Sequence, residues 1–121
     1  MYRVFLADDE VWEMKAMKKI IQQMELPILV DGEAEDGISA WKELLEKKPD
    51  ILLTDIRMPG LTGLELVKKI RQEEMNIKVV FISGFADFFY AQKALRMGVS
   101  DYLLKPVEEE ELREILEELM N

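Results

Sequence analysis

Cysteine and histidine are both absent from the 121 residues. Without cysteine there is no disulfide, no iron–sulfur cluster and no thiolate nucleophile. Without histidine there is no Ser-His-Asp or Cys-His catalysis, no zinc finger and no phosphohistidine on this chain. Carboxylates, hydroxyls, lysines and arginines remain to carry any chemistry. Long apolar runs are missing too. The run over residues 4–7 stops at Asp8, short of the roughly 7–15 residues of a signal-peptide core and the ~18 of a membrane span. Positive charge is scarce: 16 Lys and Arg stand against 25 Asp and Glu, a formal net charge of −9. A phosphate backbone calls for a basic surface, so direct nucleic-acid binding is not expected. These absences read together as a cytoplasmic protein without membrane attachment.

The apolar content of 49 % is ample for a core, and a chain of this length folds as one domain by default. Apolar, strand-like runs alternate with helical patterns. Val4-Phe5-Leu6 precedes Val11, Met14, Met17, Ile21 and Met24, whose spacing marks one helix face that Leu26-Pro27 ends. Ile28-Leu29-Val30 begins a second strand, and Asp36-Gly37 turns into a helix with Ile38, Trp41, Leu44 and Leu45 on one side. Ile51-Leu52-Leu53-Thr54 leads through a Met58-Pro59-Gly60 loop to Thr62-Gly63-Leu64-Glu65, a capping box opening a helix with Leu66, Val67 and Ile70. A strand over residues 78–82, a helix over 88–97 ended by Gly98, a strand over 102–104 and a helix over 108–120 complete the chain. Leu112, Ile115, Leu116 and Leu119 face inward on the last helix. Five strand–helix pairs with continuous apolar strands predict an α/β fold, a parallel sheet covered by helices on both faces.

Ligands of such sheets bind beyond the carboxyl ends of the strands. Asp8, Asp9 and Glu10 follow the first strand, Asp55 the third, Ser83 and Gly84 the fourth, and Lys105-Pro106 the fifth. The carboxylates repel: a pair of unit charges ~4 Å apart costs ~4 kcal/mol at an effective dielectric of ~20. Such a site needs a proton, an ammonium or a metal. Lys105 supplies one positive charge, and Mg²⁺ suits carboxylate and water ligation. An anionic phosphoryl group can then approach Asp55, whose carboxylate can attack phosphorus while Lys105 and Ser83 hold its oxygens. Taken singly, each residue also fits a cap or a turn. The four strand ends together carry the functional reading.

The segments Phe5-Leu6-Ala7-Asp8-Asp9-Glu10, Leu53-Thr54-Asp55-Ile56-Arg57-Met58-Pro59-Gly60, Phe81-Ile82-Ser83-Gly84 and Asp101-Tyr102-Leu103-Leu104-Lys105-Pro106 resemble the receiver domain of bacterial two-component response regulators. The resemblance covers essentially the whole chain, residues 1–121, in order and spacing. It implies a flavodoxin-like (βα)5 doubly wound parallel sheet with strand order 2-1-3-4-5. Asp55 is then the phosphoacceptor, served by a sensor histidine kinase. Asp9 binds Mg²⁺ directly, Asp8 largely through water, and the backbone carbonyl of Arg57 is a further metal ligand alongside Asp55. Lys105 contacts the phosphoryl group and its bond to Pro106 is cis. Ser83 and Tyr102 form the switch pair, with Gly84 leaving room, and the output face comprises the fourth helix, fifth strand and fifth helix. The segment from Ser83 to Ala91 resembles receivers joined to an AraC-type DNA-binding domain. The implied protein is a signalling receiver rather than an enzyme, the N-terminal part of a longer transcriptional regulator, able to dimerise on phosphorylation. The alternative is a stand-alone receiver, a phosphate sink or protein-binding module.

Rival chemistries fit less well. A phosphatase of the haloacid-dehalogenase type needs a second Asp two residues after its nucleophile, where this chain has Arg57. A flavodoxin-like FMN carrier needs a phosphate loop after the first strand, where Asp8-Asp9-Glu10 would repel phosphate. The eight methionines and Trp41 read as core. Trp12 reads equally as packed or as exposed beside the acid pair. The run Glu108-Glu109-Glu110-Glu111 suits the positive end of a helix dipole. By position in the family, the side chains of Arg57 and Phe85 flank the path of a hydrolytic water. Neither can act as its general base, so a long-lived phosphorylated state is expected.

Overall fold

The structure, a computed structural model, describes residues 1–84 and 88–121, with the backbone alone for Phe88, Tyr90 and Ala91. Strands and helices alternate along the chain: β1 (Tyr2–Ala7), α1 (Val11–Gln23), β2 (Ile28–Ala34), α2 (Gly37–Lys47), β3 (Ile51–Asp55), α3 (Gly63–Gln72), β4 (Lys78–Ser83), α4 (Phe88–Arg96), β5 (Asp101–Leu104) and α5 (Glu109–Leu119). All four strand pairings are parallel and the order is β2-β1-β3-β4-β5. The flavodoxin-like doubly wound fold is therefore the one the sequence predicts.

Alternation along the strands divides the core in two, because successive side chains leave opposite faces of a sheet. Val4, Leu6, Ile51, Leu53, Val80, Ile82 and Leu103 pack with Met14, Met17 and Ile21 of α1 and Leu112, Ile115 and Leu116 of α5. Phe5, Ala7, Leu52, Val79 and Phe81 pack with Ala40 and Leu44 of α2, Leu66, Val67 and Ile70 of α3, and Ala94 of α4. The chain thus leaves neighbouring β1 and β3 toward opposite faces, α1 to one and α3 to the other. That divergence opens a crevice at their carboxyl ends, the topological switch point of the sheet.

Caps fix the helix starts around that crevice. Thr62 Oγ1 accepts from the Glu65 backbone N–H at 3.1 Å, and Glu65 Oε1 accepts from the Thr62 N–H at 3.0 Å, the reciprocal box that the sequence predicts. Asp36 caps α2 by accepting from the Ser39 N–H at 2.7 Å. At the other end of α4, Gly98 takes a left-handed φ of +74°, which ends the helix.

One element extends beyond the sequence reading and another differs from it. β2 continues through Asp31-Gly32-Glu33 with a bulge: Val4 pairs with Val30, but Phe5 pairs with Gly32. The extra residue, Asp31, accepts from Arg3 Nη1 at 3.1 Å with its carboxylate and from Lys47 Nζ at 2.9 Å with its carbonyl. An edge strand tolerates such polar residues, which blurs its apolar signature. On α2 the expected face rotates. Leu44 is buried and Trp41 half-buried, but Ile38 and Leu45 are exposed, and Gly37 and Ala40 complete the inner face. A Cβ at Gly37 would run into the Leu61 carbonyl, so the helix docks through its small residues. Trp12 is 82 % exposed, with Lys15 Nζ 5.2 Å from its ring centroid.

Candidate functional site

Strand ends deliver the chemistry to the crevice. Asp8 follows β1, Asp55 ends β3 and Ser83 ends β4; all three are buried. Lys105 follows β5, its side chain only 6 % exposed. Its backbone N–H donates to the Ser83 carbonyl at 2.7 Å, tying the ends of β4 and β5 together. Asp55 is held from the side of α3. The Arg57 N–H donates to Asp55 Oδ1 at 3.3 Å, and the Gly63 N–H donates to the Ile56 carbonyl at 2.6 Å. A Cβ at Gly63 would run into the Asp55 carbonyl, so this close approach requires glycine.

The Lys105 ammonium sits amid four carboxylates. Nζ lies 2.9 Å from Asp8 Oδ2, 2.9 Å from Glu10 Oε1, 2.8 Å from Glu13 Oε2 and 3.0 Å from Asp55 Oδ2. An ammonium has three protons to donate, so the four acids cannot all be served at once. Asp8 shows the shortfall. Its Oδ1 accepts from the Glu10 N–H at 2.8 Å, while its buried Oδ2 has the charge contact but no aligned hydrogen bond. Burial is the main influence on Asp8 and pushes its pKa up to about 6, with Lys105 and the Glu10 N–H opposing and the charge of Asp55 adding. For Lys105 burial is again the largest single influence and disfavours the charged form. The carboxylates of Glu13, Asp8, Glu10 and Asp55 together outweigh it and raise the pKa above the ordinary lysine range. Glu10 is lowered, chiefly by its hydrogen bond from Lys105.

One carboxylate oxygen from each of Asp8, Asp9, Glu10 and Asp55 can be chosen so that all four lie within 4.8 Å of one another. This all-oxygen set, with an orphaned buried oxygen on Asp8, fits a small hard divalent cation such as Mg²⁺.

Residues 4–117 match the response regulator receiver domain. The chain belongs to this family. It is 39 % identical over 120 residues to the uncharacterized transcriptional regulatory protein YesN of Bacillus subtilis, covering 99 % of this chain and 33 % of YesN. It is 33 % identical to the transcriptional regulatory protein HptR of Staphylococcus aureus, covering 99 % of this chain and 47 % of HptR. The chain thus spans a third to a half of the length of these curated relatives. Among solved structures, a DNA-binding response regulator of the LuxR family from Staphylococcus aureus superposes with a TM-score of 0.93 at 31 % identity, covering 100 % of both chains. The receiver domain of the response regulator AraT from Geobacillus stearothermophilus superposes at 0.90 with 37 % identity, covering 98 % of this chain and 92 % of that one. These matches show a receiver domain, and the curated relatives that carry it are transcriptional regulatory proteins. They do not establish the AraC-type attachment expected from residues 83–91.

Within the receiver, the structure brings Asp8, Asp9, Asp55 and Lys105 together and puts Ser83 and the Arg57 backbone at the same edge. The Lys105-Pro106 bond is cis. Tyr102, on β5, is half-buried against the α2–α3–α4 side of the core, paired in register with Phe81. Among the described residues, a Cβ at Gly84 would meet Lys105 Cδ at 4.0 Å, an ordinary contact. Phe85 lies outside the described residues. The sequence reading did not pick out Glu13 or the close approach of Gly63. No pattern within α1 signals Glu13, because its contact joins α1 to the segment after β5. Among the described residues no helix is long and apolar enough to cross a membrane.

Proposed function

We propose that the domain accepts a phosphoryl group on Asp55 from the phosphohistidine of a sensor histidine kinase and switches a transcriptional output. The observation that carries this is the pairing of Asp55 Oδ2 with Lys105 Nζ at 3.0 Å beside the acid cluster. A carboxylate nucleophile stands against a buried cation able to receive phosphoryl oxygens. The Asp55 oxygen attacks phosphorus, the bond to the imidazole nitrogen breaks, and its electron pair leaves with the histidine. Asp8, Asp9, Asp55 and the Arg57 carbonyl would hold Mg²⁺, which supplies charge neutralisation for the incoming anion. Lys105 holds one phosphoryl oxygen and the Ser83 hydroxyl another as charge develops.

The same hydroxyl serves as the switch. Its movement toward the phosphoryl group lets Tyr102 turn inward and changes the face of α4, β5 and α5. A ligand shifts such an equilibrium only by its differential affinity for the two states. A charge-assisted hydrogen bond from Ser83 supplies ~1.5–3 kcal/mol of that difference. The greater length of YesN and HptR supports residues 1–121 as the receiver part of a longer cytoplasmic regulator with an attached DNA-binding domain. That domain contacts DNA, because this one carries a net charge of −9. Phosphorylation then favours a homodimer through the switched face.

The test is mass measurement after incubation with acetyl phosphate and Mg²⁺. The parent gains one phosphoryl group and Asp55→Asn gains none. Equal labelling of the variant would show that the acceptor lies elsewhere.

A further inference from the structure

Lys105 has one carboxylate partner outside the acid cluster that would hold a cation. Glu13 Oε2 lies 2.8 Å from Nζ, the shortest of its four carboxylate contacts. Glu13 sits in the first turn of α1 and does not belong to the carboxylate cluster that would hold a cation. The other three partners, Asp8, Glu10 and Asp55, all do. Glu13 is therefore the one carboxylate on the ammonium that lies outside that cluster.

Resting on the phosphoacceptor reading of Asp55, we propose that Glu13 is a positioning residue that competes with the incoming phosphoryl group for Lys105. The ammonium has three protons, and a phosphoryl oxygen must claim at least one of them. Asp8 and Asp55 are fixed by their strands and buried. Glu13 is tethered only by its own side chain, which is 45 % exposed. It can therefore leave for water when displaced. Glu13 and Lys105 also line a common cavity of about 130 Å³, walled by Met17, Ile20 and Pro106. These apolar walls border the pair on one side and leave Glu13 open to water on the other. The contact thus holds Lys105 in the resting site and raises the donor concentration needed to fill it.

The reaction that reads this out is phosphorylation by acetyl phosphate. An Asp55 oxygen forms a bond to phosphorus, the phosphorus–oxygen bond to the acetyl group breaks, and acetate leaves with the electron pair. Neither an oxidant nor a net proton is required. Initial rates are measured against acetyl phosphate concentration at saturating Mg²⁺ for the parent, Glu13→Gln and Glu13→Asp.

Both variants lose the contact, Gln by charge and Asp by length, while Asp keeps the local charge. The half-saturating acetyl phosphate concentration should fall about fivefold in both, the scale of a partly exposed ion pair. The maximal rate should change less than about twofold, and Mg²⁺ affinity of Glu13→Asp should stay within about twofold. A lowered half-saturation in Glu13→Gln alone would assign the effect to net charge and overturn the proposal. Unchanged or raised half-saturation in both would overturn it too, with Asp55 still the acceptor. No phosphorylation of the parent would overturn both readings together.

Discussion

Replacing Asp8 by Asn should stabilise the metal-free protein at neutral pH. Asp8 is 1 % exposed, and its Oδ2 has no aligned hydrogen bond. Burial raises its pKa from an ordinary 3.8 to about 6. The folded state therefore binds this proton more tightly than the unfolded chain does. Between about pH 4 and pH 6 the native protein carries more protons, so stability falls as pH rises through that window. Above it, the ionised carboxylate costs the fold about 3 kcal/mol, the equivalent of the displacement from 3.8 to about 6. Asn keeps the shape without the charge, so the variant gains up to that amount near pH 7.5 and little near pH 4. Urea unfolding in the presence of a chelator measures both. Added Mg²⁺ should narrow the gap, because it stabilises the parent by about 1.4 kcal/mol at ten times its dissociation constant and the variant by less. A variant no more stable than the parent near pH 7.5, or one whose gain persists at pH 4, would refute the account of Asp8 as a strained buried charge.

Three other variants probe a support of the site, a helix end and turnover. Gly63→Ala drives a Cβ into the Asp55 carbonyl; it should cost ~1–3 kcal/mol in urea unfolding and slow labelling of Asp55. Lys48, the C-cap of α2, holds a left-handed φ of 46°, and Lys48→Gly should gain ~0.5–1 kcal/mol, read as a raised urea midpoint. Replacing Arg57 by Asn and Phe85 by Glu together should speed loss of the phosphoryl group about tenfold, a barrier change of ~1.4 kcal/mol. Unchanged decay in excess Mg²⁺ would mean that other groups control access of water.

The sequence made most of the sheet legible because its central strands are buried on both faces and read as unbroken apolar runs. The Thr62–Glu65 box was legible for a local reason: its hydrogen bonds span three residues. The end of β2 was not, since Asp31 and Glu33 are tolerated only because the strand lies at an edge. The inner face of α2 was hidden by its dependence on Gly37 and Ala40, which carry little hydrophobic signal. Asp8, Asp9, Asp55, Ser83 and Lys105 were legible because a parallel sheet sends every strand end to one edge. Glu13 was not, because its contact with Lys105 joins α1 to the segment after β5, and pattern within either element says nothing of that meeting.

The same comparison explains why the site stands out from the fold. Over most of the fold local preference and tertiary packing agree: alternation fills both core layers, Asp36 and Thr62 cap α2 and α3, and the bulge gives Arg3 its carboxylate. At the carboxyl edge they conflict. Glu10 stands at the N-cap of α1 yet makes no side-chain cap, because its carboxylate is on Lys105. Four carboxylates share one ammonium, and a buried oxygen lacks an aligned hydrogen bond. A fold selected for stability alone would replace such a group by a neutral one. The acids form a pocket short of positive charge, and binding a cation would relieve that shortage. A stabilising change at Asp8 should therefore also weaken cation binding, since the repulsion it removes is part of what draws the cation in.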